Sequence, residues 1–402
     1  MTTEDADPTA ADWAARADAA ACSVTAIFGQ RLFLLPGTHI GATVRPSGRV
    51  ASLFRPWHYW WQAHYVDCLV DAGNRKYTGA SPAARFDAGR PLAVRLASRL
   101  VTGIRLRNFL TFVNSYYDDM AWLALSTLRL EKLADAVRMG GRRRSARIRK
   151  TLTRQFDSAS TDDLGGGTFW STKRDFKNTP ATAPVALYYA RTGWPNKAQA
   201  LLDWLDANLF DPSQGLYLDG LRIGTAGEVL VETAIYTYNQ GPVLGALLEL
   251  GGEANLARAA TVVEAVDRSL TAPPVTEKDS PGANARGRVL RCAGTGDGGL
   301  FTGILCRYLA LAAADSRLPE PVRATAARLV LDTAETFWSG RREVSAAEPL
   351  ARDQGKLLFS SYPHVPAFSA YPPGAAVELS TQLQAWMVLE AAAAIRRGAA
   401  GN

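Results

Sequence analysis

The residues best placed to do chemistry are two adjacent acids, Asp118 and Asp119, in the segment Asn114-Ser115-Tyr116-Tyr117-Asp118-Asp119-Met120-Ala121-Trp122. They open an apolar helical pattern and are flanked by aromatic side chains. Helix capping explains part of this: Ser115 at the N-cap with Asp118 three positions on would satisfy free backbone N–H groups and complement the helix dipole. Capping does not explain why a second acid follows at once, nor why aromatics surround the pair. Cleavage of a glycosidic bond does ask for two carboxyls, one acting at the anomeric carbon or on a water, the other protonating the departing oxygen. Retaining chemistry holds them about 5–5.5 Å apart and inverting chemistry about 6.5–9.5 Å. Neighbouring Cα atoms are about 3.8 Å apart, so adjacency favours retention. Two acids this close also split each other's proton affinity, leaving one charged and one protonated.

Three further segments offer sugar-binding groups, each with a plainer reading beside it. Gly165-Gly166-Gly167-Thr168-Phe169-Trp170 joins a flexible backbone to rings that can stack on sugars, or is a glycine turn ending in a core Trp. Tyr236-Thr237-Tyr238-Asn239-Gln240-Gly241 aligns phenol, hydroxyl and amide groups that can hold sugar hydroxyls, or caps a helix through Thr237 or Asn239. Trp57-His58-Tyr59-Trp60-Trp61-Gln62 has more aromatics than an ordinary surface helix, which places part of it in the core and one Trp at a cleft. Other chemistries lack material. Only His39, His58, His64 and His364 are present, His58 and His64 miss the i, i+4 spacing of a zinc pair, and neither a phosphate loop nor a GxSxG elbow occurs.

Positioning these groups falls to helices. Hydrophobic residues make up 47% of the 402-residue chain and charged residues 21%, which suits a globular protein with a large core. Helical periodicity dominates, and candidate helices fall near 9–29, 57–73, 88–112, 116–138, 143–157, 179–193, 195–209, 232–250, 253–270, 299–315, 320–338 and 376–397. Tyr117, Ala121, Ala124, Leu125 and Leu128 form one apolar stripe, and Leu379, Leu383, Trp386 and Met387 another. Gly and Pro stand where helices should stop. Longer irregular stretches at 159–178, 211–231, 271–298 and 339–375 are candidate cleft walls. Six helical hairpins closed into one toroid are expected over residues 9–398, after a flexible segment 1–8; a two-domain bundle split near 271–298 is the alternative.

The 45 Lys and Arg exceed the 38 Asp and Glu, largely through the run Arg142–Lys150, read as a solvated helix surface or a contact for an anionic polymer, phospholipid or nucleic acid. Cys22, Cys68, Cys292 and Cys306 are far apart; the first two and the last sit in apolar patterns that suggest buried free thiols. No apolar run is long enough for a membrane span. The acidic, polar N-terminus is unlike a secretory signal, so a cytoplasmic location is expected unless a signal was removed or export is non-classical.

Together these segments resemble glycoside hydrolase family 76, the α-1,6-mannanase family. The resemblance rests on Trp60-Trp61-Gln62, Tyr117-Asp118-Asp119-Met120-Ala121-Trp122, Gly166-Gly167-Thr168-Phe169-Trp170, Lys177-Asn178, Thr237-Tyr238-Asn239-Gln240-Gly241, and Asp297 ahead of Phe301-Thr302-Gly303, in the family's order over roughly residues 10–395. Met120 stands where Glu is usual, Thr302 where Lys is common, and Thr179-Pro180-Ala181-Thr182 where a further Asn is often found. The resemblance implies an all-α (α/α)6 barrel and retaining cleavage of α-1,6-linked mannan. It makes Asp118 the nucleophile and Asp119 the acid/base, with Trp61, Gln62, Asn114, Tyr117, Trp122, Trp170, Lys177, Asn178, Tyr238, Asn239, Gln240 and Asp297 around the sugar. No metal or organic cofactor is expected, and no nucleic-acid partner; the partner is a mannan or mannose-containing glycan, and the expected state is a monomer. A transglycosylase and a catalytically idle glycan-binding protein are the competing readings, and an epimerase would want more histidines than the chain has.

Overall fold

The structure, a computed structural model, describes residues 8–46, 56–79, 92–138, 142–272 and 287–400. Those residues are mostly helical: α1 (Ala10–Phe28), α2 (Tyr59–Gly79), α3 (Leu92–Arg107), α4 (Tyr117–Ala136), α5 (Arg142–Ala159), α6 (Thr179–Arg191), α7 (Pro195–Asn208), α8 (Thr237–Leu250), α9 (Glu253–Ser269), α10 (Phe301–Ala314), α11 (Glu320–Ser339), the short α12 (Ala367–Ala370) and α13 (Leu379–Ala400).

Two kinds of helix alternate. In α4 the apolar stripe is buried, but so are Met120, Leu123, Ser126 and Thr127 on the other faces. In α6 every residue from Thr179 to Tyr189 is buried. A helix apolar all round must lie inside. By contrast α5 buries Ile148, Leu152 and Phe156 at i, i+4 and i+8 and leaves Arg147, Lys150, Arg154 and Asp157 exposed. The enclosed helices touch in sequence: α2 packs on α4, α4 on α6, α6 on α8, α8 on α10, α10 on α13, and α13 returns to α2. The amphipathic ones lie outside, with α3 on α2, α5 on α4, α7 on α6, α9 on α8, α11 on α10 and α1 on α13.

Several boundaries differ from expectation. α2 runs on to Gly79, past the Ala72-Gly73-Asn74 stop, because Gly73 lies under Leu133 of α4, where a Cβ would approach the Leu133 side chain to 2.5 Å. Tertiary packing thus overrides the local stop. The helix expected near 232–250 starts at Thr237, since Val229–Glu232 pairs as a strand. The start of the helix expected near 88–112, residues 88–91, lies outside the described residues, as do residues 1–7 and residues 273–286 of the loop expected at 271–298. Strands are short: β1 (Gly29–Gln30) pairs with β2 (Ile40–Gly41), and β3 (Val44–Arg45) pairs near the start of α13. Phe176–Asn178 (β4), Gly220–Ile223 (β7) and Val229–Glu232 (β8) form one antiparallel sheet, with Phe210–Asp211 (β5) pairing Leu216–Tyr217 (β6) before it. Cys22 is exposed, contrary to expectation, while Cys68 and Cys306 are buried. Cys22 follows the buried Ala20 and Ala21 in the sequence but points off the face that α1 buries.

Midway along the enclosed helices, Arg129 of α4 bridges Asp67 and Asp71 of α2. Arg307 of α10 reaches the same two acids at 3.2 and 2.6 Å. Two cations matched to two anions leave no net charge there, as a buried ion cluster requires.

Candidate active site

The first turns of the enclosed helices bring a set of polar and aromatic side chains together. Trp60 and Trp61 come from α2, Asp118 and Asp119 from α4, Tyr238 and Asn239 from α8, and Asp297 from the turn before α10. Trp60 and Trp61 both donate their indole N–H to Asp297 Oδ1, at 2.9 and 2.8 Å.

Asp118 and Asp119 have different surroundings. Asp118 Oδ1 accepts the backbone N–H of Asp119 at 2.9 Å, and its Oδ2 accepts Trp170 Nε1–H at 3.0 Å. Asp119 Oδ2 accepts Asn114 Nδ2–H at 2.6 Å, and Asn114 is itself fixed by the Tyr116 N–H on its Oδ1 at 2.7 Å. The capping reading fails: the N-cap is Tyr116, without a side-chain cap bond, and Ser115 instead gives its carbonyl to the Thr172 N–H. Burial pushes Asp118 up to about 7, held back by its own donors. Burial and the neighbouring Asp118 carboxylate push Asp119 well above the usual carboxylate range. Both residues are half-buried, not sealed in the core. No cation contributes to either affinity. The pair therefore holds one proton on Asp119 while Asp118 ionises first.

Trp170 is placed by the 159–178 loop. Gly166 and Gly167 adopt φ of 131° and 74° and lie flat on Trp204, where a Cβ on Gly167 would come within 2.6 Å of the ring. Lys177 ties the loop together, its ammonium donating to Thr161 O, Asp163 O and Gly166 O at 2.7, 2.6 and 2.7 Å and to Thr161 Oγ1 at 3.1 Å. Burial pulls this lysine down to about 8. The Tyr117 N–H then donates to Trp170 O at 2.8 Å, joining the loop to the first turn of α4.

The other expected sugar ligands divide. Trp60, Tyr238 and Phe301 form an aromatic wall, Tyr238 stacking on Phe301 at 4.0 Å between ring centres. Tyr116 lies 4.9 Å from Trp170 beside Asp118. Asn239 donates to Asp219 at 3.1 Å, leaving its Oδ1 buried without a partner, while burial raises Asp219 to about 6. Gln62, Gln240, Asn178 and Lys177, by contrast, spend their polar atoms on backbone. Gln62 grips both polar groups of Gly41 and Gln240 those of Tyr217. Asn178 caps α6 through Ala181 N–H. Tyr117 and Trp122 are buried; Trp122 packs on His64 at 4.8 Å. Asp219 was not anticipated; an acid following the apolar run Leu216-Tyr217-Leu218 was the available sign. Among the described residues no group of three His, Cys, Asp or Glu is arranged to hold a metal.

Residues 41–347 match the sequence model of Glycosyl hydrolase family 76. The chain belongs to glycoside hydrolase family 76. The α-1,6-mannanase of this family from Salegentibacter sp. HEL1_6 is 26% identical, with 96% of this chain and 100% of that chain covered and a TM-score of 0.74. An inactive variant of that enzyme, with two consecutive aspartates changed to asparagine, is known in complex with α-1,6-mannotriose and superposes with a TM-score of 0.73 at 26% identity, covering 96% of this chain and 100% of that one. A family 76 mannosidase from Bacteroides thetaiotaomicron VPI-5482 shares the fold at 17% identity, covering 96% and 99% of the two chains with a TM-score of 0.71. No curated protein matches the chain in sequence. This family 76 chain contains a second Asp-Asp pair, Asp162-Asp163. Both of those residues are exposed on the lysine-tied loop, with Asp163 accepting the Thr161 hydroxyl, so burial singles out Asp118 and Asp119.

Proposed function

We propose that this family 76 glycoside hydrolase is an (α/α)6 barrel that cleaves α-1,6-mannosidic bonds of a mannan with retention, Asp118 acting as nucleophile and Asp119 as acid/base. The closed succession of contacts among α2, α4, α6, α8, α10 and α13 supports the six-hairpin barrel. The mannan substrate is supported by the likeness to the Salegentibacter α-1,6-mannanase, whose loss of two consecutive aspartates abolishes activity.

The observation that carries the roles is the asymmetry of the pair. Two N–H donors favour the ionised form of Asp118, and a carboxylate is what must attack the anomeric carbon. Asp119 has one donor and a charged neighbour, so it keeps its proton and gives it to the departing glycosidic oxygen. Once that sugar leaves, Asp119 as carboxylate takes a proton from water, which attacks the glycosyl-Asp118 ester and restores Asp118. The aromatic wall of Trp60, Tyr238 and Phe301 supplies stacking faces for the chain on either side.

Proton NMR of a fresh digest of linear α-1,6-mannan tests the assignment: the first product formed should carry the α anomer at its new reducing end. An initial β product would overturn retention, and intact polymer would overturn the substrate.

A further inference from the structure

Away from that site, five large apolar side chains stand in water on two tips that flank α3: Phe33 is 54% exposed, Leu34 83%, Leu35 45%, Phe109 89% and Leu110 63%. The first tip is the turn between β1 and β2, and it is fastened to α3 at two points. The His39 N–H donates to Arg99 O at 3.1 Å, and Gly103 lies so close that a Cβ there would be 2.0 Å from His39 O. The second tip follows α3 directly and is held by Arg105 Nε–H on Leu110 O at 2.9 Å. Phe33, Leu34, Phe109 and Leu110 all have left-handed backbones, with φ of 47°, 62°, 52° and 65°. Side-chain-bearing residues rarely adopt that conformation, and it persists only where the surrounding contacts impose it. Here it holds hydrocarbon outward.

Cations surround the two tips. Arg31, Arg99 and Arg105 are exposed beside them, and Arg147, Lys150 and Arg154 are exposed on the adjoining α5. The stretch from Leu92 to Arg107 contains no acid. Among the described residues no carboxylate pairs with Arg31, Arg99, Arg147 or Lys150. Between α3 and α5 runs an open groove of about 690 Å³ lined by Arg105, Leu106, Leu110, Phe112, Arg147 and Ile148.

We propose that this face docks on the surface of an anionic phospholipid bilayer. Phe33, Leu34, Phe109 and Leu110 enter the headgroup layer, and the arginines and Lys150 meet the lipid phosphates. Exposed apolar tips ringed by cations are the pattern of interfacial binding, in which buried hydrocarbon and attraction to anionic lipid add. A second copy of the chain is disfavoured as occupant by the like charge it would bring. A soluble polyanion would use the cations and leave the hydrocarbon in water. Five residues after Phe109, Asn114 binds Asp119, a span of at most about 18 Å of chain. Seating the second tip therefore brings the site to the membrane surface, where, on the hydrolase reading above, it would meet glycan anchored in the bilayer.

Sedimentation of the full chain with vesicles tests the docking, using phosphatidylcholine alone and phosphatidylcholine with about one-fifth phosphatidylglycerol. Binding is expected only to the anionic vesicles and should weaken with salt. The double variants Phe33→Ser/Leu34→Ser and Phe109→Ser/Leu110→Ser should each weaken it about tenfold or more, and Arg147→Glu/Lys150→Glu at least about fivefold per charge. All three should keep wild-type circular dichroism and wild-type cleavage of soluble mannan. No sedimentation with anionic vesicles overturns the docking, as does binding that the serine variants leave intact, or equal retention on heparin lost only in the charge variant. Vesicle binding by a protein that leaves mannan intact would overturn the hydrolase reading and leave the docking standing.

Discussion

Replacing Asp118 by Asn separates the chemical from the structural consequences of burying a carboxyl. In the unfolded chain this acid ionises near 3.8, in the folded protein near 7. Because the folded affinity is raised, the stabilising contribution of the neutral acid is fully present below pH 3.8 and is lost as pH rises through about 7. The gap covers about three pH units at about 1.4 kcal/mol each, a ceiling of about 4 kcal/mol. Water at the half-buried site and the shared titration with Asp119 reduce it to about 2 kcal/mol. Asparagine carries one oxygen where Asp118 uses two, for the Asp119 N–H and the Trp170 indole, so it forfeits one hydrogen bond, about 1 kcal/mol. The net expectation is a crossover. Asp118→Asn should be more stable than the native protein by about 1 kcal/mol at pH 8 and less stable by a similar amount at pH 4. In a chain of this size that corresponds to about 1–2 °C in Tm in each direction. Turnover of mannan should fall about ten-thousandfold or more at every pH, as for loss of a nucleophile. Differential scanning calorimetry across pH 4–8 beside a reducing-sugar assay reads both. A Tm difference that keeps one sign throughout would refute the account of why Asp118 is raised, and residual activity within tenfold of native would remove Asp118 from the mechanism.

The native pH profile should rise as Asp118 ionises, so kcat/KM measured on free enzyme should lose its acidic side below about pH 7; a profile flat from pH 5 to 8 would contradict this. Trp170→Phe removes the indole donor from Asp118 Oδ2 and should move that acidic limb upward while lowering kcat about tenfold, whereas an unmoved limb would mean the indole only packs. Lys177→Met should lower Tm by several degrees, since three carbonyls and a hydroxyl lose their donor; a raised KM with unchanged Tm would instead make Lys177 a sugar ligand.

Much of the helical order was legible because burial imposes itself on residue choice: a stripe such as Ile148, Leu152 and Phe156 can only be the inner face of α5. Enclosed and outer helices were harder to separate, since Met120 and Leu123 fall off the stripe of α4 yet are fully buried. The Asp118-Asp119 pair was legible because adjacent acids at a helix start have few structural uses. What each amide does was not. Gln62 and Gln240 stand in segments rich in sugar-binding groups, yet each is the fourth residue of an enclosed helix and grips a crossing peptide there. Gln382, fourth in α13, does the same to Phe359. Sequence spacing within one helix could have shown the recurrence, but not the peptide that it meets. Lys177 was misleading for the same reason, because its partners are carbonyls, which carry no side-chain identity to read.

The middles and the first turns of the enclosed helices solve opposite electrostatic problems with the same residue types. Midway along them Asp67 is buried and Asp71 half-buried, and each is matched by Arg129 and Arg307, which holds Asp67 below its ordinary value despite burial. At the first turn of α4 two acids equally surrounded by protein meet N–H dipoles and other acids but no cation, and both rise. Between them His64, with both ring nitrogens unpartnered, is kept neutral by burial and by Arg307. A cation placed beside Asp119 would stabilise the fold and strip the acid of the proton it must donate. The neutral mid-helix cluster lets the helices be tied together by ions without that cost, because matched charges project little field along the bundle. Stability is thus drawn from the mid-helix ion cluster, and the first turns can keep an unpaired, proton-holding acid.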